Sequence, residues 1–255
     1  SPDIPPLVLA AYSILLGACF GVVNGFFVAY ARVPSIIVTL GTMALFRSAL
    51  VEYSDAKSIT TNNLPTWLVE FPNTQLFTIG TFQFRAAFVV AILVVIAVHI
   101  TLSRVRPARK LYAVGSNPEA AEMSGINSKL VIFFAFVLAG ALAGLAGFMF
   151  LARFGTITVV AGLGFELKSV AAAVVGGVNI FGGSGSVIGA LIGTVLIDLI
   201  DMSLVRWQLV SEFWREAVLG SLILLSVAAD AVLMRRLVKW RVSREKKDAK
   251  PEVQA

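Results

Sequence analysis

Few side chains in this sequence are equipped for chemistry, and their spacing narrows what they can do. His99 is the only histidine and Cys19 the only cysteine, so the chain can build neither an internal disulfide nor a His/Cys metal cluster. No G-x-S-x-G, H-E-x-x-H or Walker A run occurs, which removes the nucleophile elbow, the zincin helix and ATP hydrolysis by this chain. Gly182-Gly183-Ser184-Gly185 has no G-K-[ST] after it and reads as a tight turn, not a nucleotide loop. What remains are ionisable residues inside apolar runs: Arg47, Asp198, Asp201 and Asp230. Charge in hydrocarbon is expensive, so such residues are functional suspects by default. The alternative is snorkelling to the nearest surface, which suits Asp198 and Asp201 at i, i+3 near a helix end, and Arg47 with Glu52 near another. His99 reads as a packing or interfacial residue.

The segment with the most specific local chemistry is Ala108 to Ile126, ARKLYAVGSNPEAAEMSGI. Ser116 with Glu119 fits a capping box, and Asn117 before Pro118 fits an alternative N-cap with proline at the first helical position. Either way a short helix begins here. Glu119 and Glu122 favour its early turns, and Gly125 suits a left-handed C-cap. Two turns are too short to cross a bilayer or to persist alone, so this helix is expected to rest on its flanking loops.

The surroundings of these residues are set by composition. Of 255 residues, 58% are apolar and 14% charged, against about 45–50% and about 25% in soluble domains. A soluble enzyme is excluded, and the chain is expected to be an all-α polytopic membrane helical bundle. Charge-free runs at 7–30, 86–103 and 130–152 each suffice to cross about 30 Å of hydrocarbon. Residues 35–51 form a further run around Arg47, and the apolar block 167–204 is too long for one helix and is split at Gly182 into two short ones. A seventh run covers about 216–234. Residues 1–234 are therefore expected to form one transmembrane domain, with an external loop at 52–85, a cytoplasmic loop at 104–129 and a basic cytoplasmic tail at 235–255. With the C-terminus inside, the internal regions hold 14 of the 21 basic residues, the asymmetry that sets topology. The net charge of +6 thus marks membrane orientation and not a nucleic-acid surface. Ser1-Pro2-Asp3 offers no Met and no basic n-region, which argues for a missing N-terminal portion and against a signal peptide.

Laying Leu7–Asn24 on Leu130–Gly147 matches Leu7, Val8, Leu15, Gly17, Ala18 and Gly21 with residues 123 positions later. The two copies run in opposite directions, as in the inverted repeats of transporters, unless two glycine-rich helices align by chance. Gly17/Gly21, Gly140/Gly144, Gly185/Gly189 and Gly189/Gly193 have the G-x-x-x-G spacing that clears a helix face for close packing.

Three blocks carry a family resemblance. Arg109–Ile126 resembles the loop GR-x-x-YA-x-G-x-NP-x-AA-x-x-SGI of permease subunits from bacterial ATP-binding-cassette importers for ribose and related monosaccharides. Asn24-Gly25 through Val33-Pro34-Ser35-Ile36-Ile37-Val38-Thr39-Leu40-Gly41-Thr42 resembles that family's NG…V-x-P-x-I-x-TLGT, and Gly162–Gly193 its glycine-rich block beginning G-x-G-x-EL. Lys110 interrupts the first pattern. The resemblance implies about ten crossings with inverted repeats, of which this chain holds about seven. It also implies that Tyr112, Gly115, Ser116, Asn117, Pro118, Glu119, Ala120, Ala121, Glu122, Ser124 and Gly125 form or flank a coupling helix that docks on a separate ATPase subunit.

The same resemblance implies a second permease subunit, identical or homologous, an extracytoplasmic sugar-binding protein, and insertion in the lipid of the bacterial cytoplasmic (inner) membrane. No cofactor is expected on this chain, because ATP is bound by the partner. Asn24, Thr39, Thr42, Glu166 and Asn179 are candidates for the translocation path, and the cargo is expected to be a neutral monosaccharide of the ribose or rhamnose kind or a similar polyol. The rivals are a branched-chain amino-acid permease, disfavoured by the Tyr112–Pro118 block, and a self-contained secondary transporter, disfavoured by the scarcity of midplane carboxylates.

Overall fold

The computed structural model describes residues 5–79, 82–180 and 182–206, together with separate positions between 214 and 228. The described residues are helical apart from one hairpin and the segments that connect the elements. The helices are α1 (Pro6–Ala29), α2 (Ser35–Tyr53), α3 (Thr66–Glu70), α4 (Ala86–Arg104), α5 (Arg106–Ser116), α6 (Pro118–Met123), α7 (Ser128–Phe154), α8 (Phe165–Val175) and α9 (Val187–Arg206). Among the described residues, α1, α2, α4, α7 and α9 are long and apolar enough to cross a membrane. The ends of α1, α4 and α7 fall within two residues of the charge-free runs, because loss of hydrocarbon compatibility and loss of helix coincide there. The expected seventh run lies largely outside the described residues.

Two compact units emerge: residues 1–161 with 181–184, and 162–180 with 185–255. The first is organised around α1 and α7, which run antiparallel at backbone contact. The buried residues of α1 are Gly17, Gly21, Gly25 and Ala29, one per turn along a single stripe. A Cβ on Gly17 would fall on the Gly140 carbonyl oxygen and 2.8 Å from the Gly144 Cα; one on Gly140 would fall on the Gly17 carbonyl and 2.9 Å from the Gly21 Cα. Only glycine admits this approach.

The segment 52–85, expected as an external loop, carries its own folded elements. It holds a 3-10 turn at Thr61–Asn63, α3, a second turn at Phe71–Asn73, and antiparallel strands β1 (Gln75–Ile79) and β2 (Phe82–Arg85). Leu68 of α3 is fully buried against Phe148 and Ala152 of α7, with Leu9 and Ala10 of α1 packed around them. Ile59 pairs with Ile157 through backbone hydrogen bonds of 2.9 Å in both directions. This segment therefore closes one end of the α1–α7 pair.

In the second unit α8 and α9 run antiparallel. The apolar block breaks earlier than the sequence suggests: α8 ends at Val175, where Gly177 takes φ +84 and its amide and that of Val178 cap the helix on Val174 and Ala173, each at 2.9 Å. Only α8 is short, since α9 has full spanning length. Gly189 and Gly193 clear a face of α9, and Cβ atoms there would meet the Gly176 and Ala172 carbonyls. Gly185, with φ 153, precedes α9, so the expected Gly185/Gly189 pair does not form a helix face.

Candidate functional site

The cytoplasmic loop expected at 104–129 contains one helix more than the sequence reading found. Pro107 in the first turn of α5 suits a helix start, and α5 is amphipathic, with Val114 buried and Arg109 and Lys110 exposed. Leu111 and Val114 at i, i+3 were the available signal. α6 then follows after a single residue. Asn117, extended at φ −160, ψ 103, is its N-cap, its Oδ1 accepting the Ala120 amide at 3.0 Å, with Pro118 in the first turn. The alternative capping box from Ser116 is not formed, because Ser116 is the last residue of α5. At the other end Gly125 adopts φ +80; its amide bonds to the Glu122 carbonyl at 2.9 Å and the Ile126 amide to Ala121 at 3.0 Å. This is a complete Schellman motif.

Two side chains fix α6 to the helix that follows it. Ser128, buried at the start of α7, donates to the Pro118 carbonyl at 3.1 Å, and Ala121 is buried beneath. The opposite side of α6 stays exposed at Glu119, Ala120, Glu122, Ser124 and Met123. Met123 was not singled out from the sequence, yet it is 90% exposed, a large adaptable hydrophobe presented to solvent beside two carboxylates. Upstream, half-buried Tyr112 and Gly115 belong to α5. A Cβ on Gly115 would lie 2.7 Å from the Gly183 amide nitrogen, and one on Gly183 would strike the Ser116 hydroxyl. The glycine turn at 182–183 is thereby packed on the end of α5. Arg32 and Val33, just beyond α1, line a cleft of about 450 Å³ with Pro118, Glu119, Glu122, Ser128 and Lys129. Segments 31–34, 104–129 and 182–183 thus gather at one end of α1 and α7, opposite the folded 52–85 segment.

The path candidates divide between the units. Thr42 donates to Asn24 Oδ1 at 2.6 Å and to the Val38 carbonyl at 2.9 Å. With Thr39 and Ser13 these two residues line a mainly apolar groove of about 730 Å³ along α1, α2 and α7. Thr39 directs its hydroxyl to the Ser35 carbonyl of its own helix. Glu166 is exposed in the first turn of α8, and half-buried Asn179 follows that helix; neither lines this groove.

Asp198 and Asp201 behave differently from the snorkelling expectation, while Asp230 lies outside the described residues. Lys168 Nζ lies 2.7 Å from Asp198 Oδ1 and 2.9 Å from Asp201 Oδ2. Asp201 is buried, its side chain 8% exposed, whereas that of Asp198 is 48% exposed. Asp198 and Asp201 share a face at i, i+3, and a lysine on α8 satisfies both; separations of 30 and 33 positions hid that partner from the sequence. Among the described residues no group of histidine, cysteine and carboxylates has the arrangement of a metal site.

A family described as branched-chain amino acid transport system / permease component matches residues 2–227. The chain is 32% identical over 231 residues to the D-allose transport system permease protein AlsC of Escherichia coli, covering 91% of this chain and 68% of AlsC. It is also 32% identical over 235 residues to the autoinducer 2 import system permease protein LsrC of Yersinia enterocolitica, covering 92% and 63%. The chain thus spans about two thirds of the length of these relatives. No solved structure matches significantly.

Proposed function

This chain belongs to the branched-chain amino acid transport system / permease component family, and from that premise we propose that it is a membrane-spanning subunit of an ATP-driven importer for a neutral monosaccharide or similar polyol. The observation that carries the reading is α6: a six-residue helix capped at both ends, tied to α7 by Ser128, and displaying Glu119, Ala120, Glu122 and Met123 outward. A helix this short has no stability of its own, so its rigid presentation suits a part that another surface grips. The gripping surface is a separate ATPase chain, which holds the ATP. Movement of α6 passes directly to α7 through the Pro118–Ser128 bond and to the 182–183 turn through Gly115 and Ser116.

The remaining parts of the reading follow from it. A second permease subunit, identical or homologous, completes the pathway, and an extracytoplasmic binding protein delivers the cargo. The protein lies in the bacterial cytoplasmic membrane with α6 and the 235–255 tail inside. Asn24, Thr39 and Thr42 line one wall of the path, with Glu166 and Asn179 as the candidates in the second unit. D-allose, in the name of one relative, is a neutral hexose, and its kind of cargo suits a groove of apolar groups with a few hydroxyls and amides. Ribose- and rhamnose-like sugars have the same chemistry.

The family's description favours a second reading, transport of a branched-chain amino acid. The test is reconstitution with the co-purifying ATPase and uptake of labelled D-allose, D-ribose, L-rhamnose and L-leucine. ATP-dependent uptake of a sugar but not leucine is expected. Leucine uptake establishes the second reading, and transport driven by an ion gradient without any ATPase overturns both.

A further inference from the structure

The Lys168–Asp198–Asp201 cluster lies where a charge is costly. α8 packs alongside the spanning helix α9 and therefore shares its depth, yet its 11 residues rise only about 16 Å, half of a hydrocarbon core. Irregular backbone flanks α8 on both sides, at 158–164 and at 176–180 with 182–186. Backbone of this kind is tolerated at membrane depth where protein covers it or where it lines a watered cavity. Interrupted helices with ionisable side chains are the places where transporters meet their cargo.

A cavity is present. Phe165, Lys168, Ser169, Thr194, Ile197 and Asp198 line a groove of about 280 Å³ between α8 and α9. That is the small end of ligand-site volumes and fits a monosaccharide-sized molecule. Asp198, Thr194 and Ala190 mark three successive levels of α9, so the groove runs about 12 Å down the helix from the charged cluster.

We propose that this α8–α9 groove is a sugar-contacting site, in which Asp198 and the hydroxyls of Ser169 and Thr194 bind the cargo's hydroxyl groups and Phe165 covers an apolar face of its ring. The proposal rests on the importer reading above and adds a location and residues to it. The two carboxylates divide the work. Asp201, almost fully buried on Lys168, holds α8 to α9; Asp198 shares the same lysine but opens into the groove, where its carboxylate accepts hydroxyl donors in charge-assisted bonds. Thr194 donates to the Ala190 carbonyl at 2.8 Å, which leaves its oxygen as an acceptor for a sugar hydroxyl. Phe165, half exposed at the start of α8, supplies the apolar surface. A neutral polyol leaves the internal ion pair intact, whereas a cationic or anionic cargo would compete with one of its members.

The experiment reads binding apart from transport. In the full chain with Cys19→Ser, Ala190→Cys, at a lining position that makes no proposed contact with the cargo, is reacted with a small neutral maleimide in the membrane-reconstituted protein, with and without millimolar D-allose, D-ribose or L-leucine. Protection by a sugar, slowing the reaction about fivefold at several times Kd, with none by leucine, is expected. Adding Asp198→Asn should abolish that protection. Equal protection by leucine, or sugar protection that survives Asp198→Asn, overturns the proposal. So does unprotected Ala190→Cys in a preparation that carries out ATP-driven sugar uptake, and there the importer reading survives without this site. Sugar protection in a protein that engages no ATPase leaves the site standing and overturns the importer reading. Should Asp198→Asn not fold, Ser169→Ala replaces it, with a weakened protection expected.

Discussion

On the proposed docking of α6 to an ATPase chain, and because α6 is too short to persist alone, its two caps set how much of the chain presents a helix to that partner, and their removal has a calculable ceiling. Asn117→Ala deletes the acceptor of the 3.0 Å bond from the Ala120 amide, a loss of about 1 kcal/mol, or about fivefold in the helix equilibrium. Gly125→Ala acts at the other end through backbone conformation alone: φ is +80 and a Cβ would meet nothing within 4 Å, so its cost is the left-handed strain of about 1–2 kcal/mol. The two sites share no contact, so the losses add to about 2–3 kcal/mol, or about 30- to 140-fold. The apparent affinity for the ATPase falls by the fraction of competent helix lost, up to these limits. Titrating labelled ATPase against the permease in lipid nanodiscs measures it. Asn117→Asp and Asn117→Ser retain a capping oxygen and should recover most of the affinity. Undiminished affinity in the double variant, or a failure of both aspartate and serine to rescue, would refute the argument.

Three further expectations follow from the geometry. Gly140→Ala should destabilise the protein by about 1–3 kcal/mol in detergent unfolding, because its Cβ meets the Gly17 carbonyl, while Gly147→Ala on the same helix, with open space around it, should be neutral or slightly stabilising. Equal effects would show that α1 and α7 do not meet as described. Exchanging both Glu119 and Glu122 for Lys reverses the charge of the exposed α6 face; sugar uptake should be lost with the protein still inserted, and uptake at the unmodified rate counts against docking through α6. On a Cys19→Ser background, cysteine at exposed Asn73 should react with an impermeant thiol reagent added outside intact cells and cysteine at exposed Met123 should not; the reverse pattern inverts the topology.

What the sequence disclosed and what it hid divide along a physical line. The spans α1, α4 and α7 were legible because charge in hydrocarbon is costly, and an absence of charge over 18 or more residues is visible in one dimension. The caps of α6 were legible because Asn-Pro and Ser-Gly-Ile act within a few residues of themselves, although the choice of Asn117 over Ser116 depended on where α5 ends. The fold of 52–85 was not legible: Leu68 earns its place through Phe148 and Ala152, about 80 residues away, and no local period announces that. Lys168 carries no local signal of its role for the same reason. Its partners are 30 and 33 positions on, and only the antiparallel packing of α8 on α9, permitted by Gly176, Gly189 and Gly193, brings them within an ion-pair distance.

The repeat is where sequence and geometry can be tested against each other. Two glycine-rich helices that align by chance need not touch, and if they touch, equivalent residues need not meet. Here Gly17 and its equivalent Gly140 face each other, and each Cβ position falls on the other's carbonyl oxygen. A two-fold axis through that crossing, with repeat mates 123 residues apart, requires the approach of Gly17 to Gly144 to reappear as the approach of Gly140 to Gly21. The two separations, 2.8 and 2.9 Å to the Cα atoms, agree, as do those to the amide nitrogens. An inverted repeat places its axis in the membrane plane, so α1 and α7 cross where related halves must meet, and their glycines are needed there because nothing larger fits between two backbones on an axis.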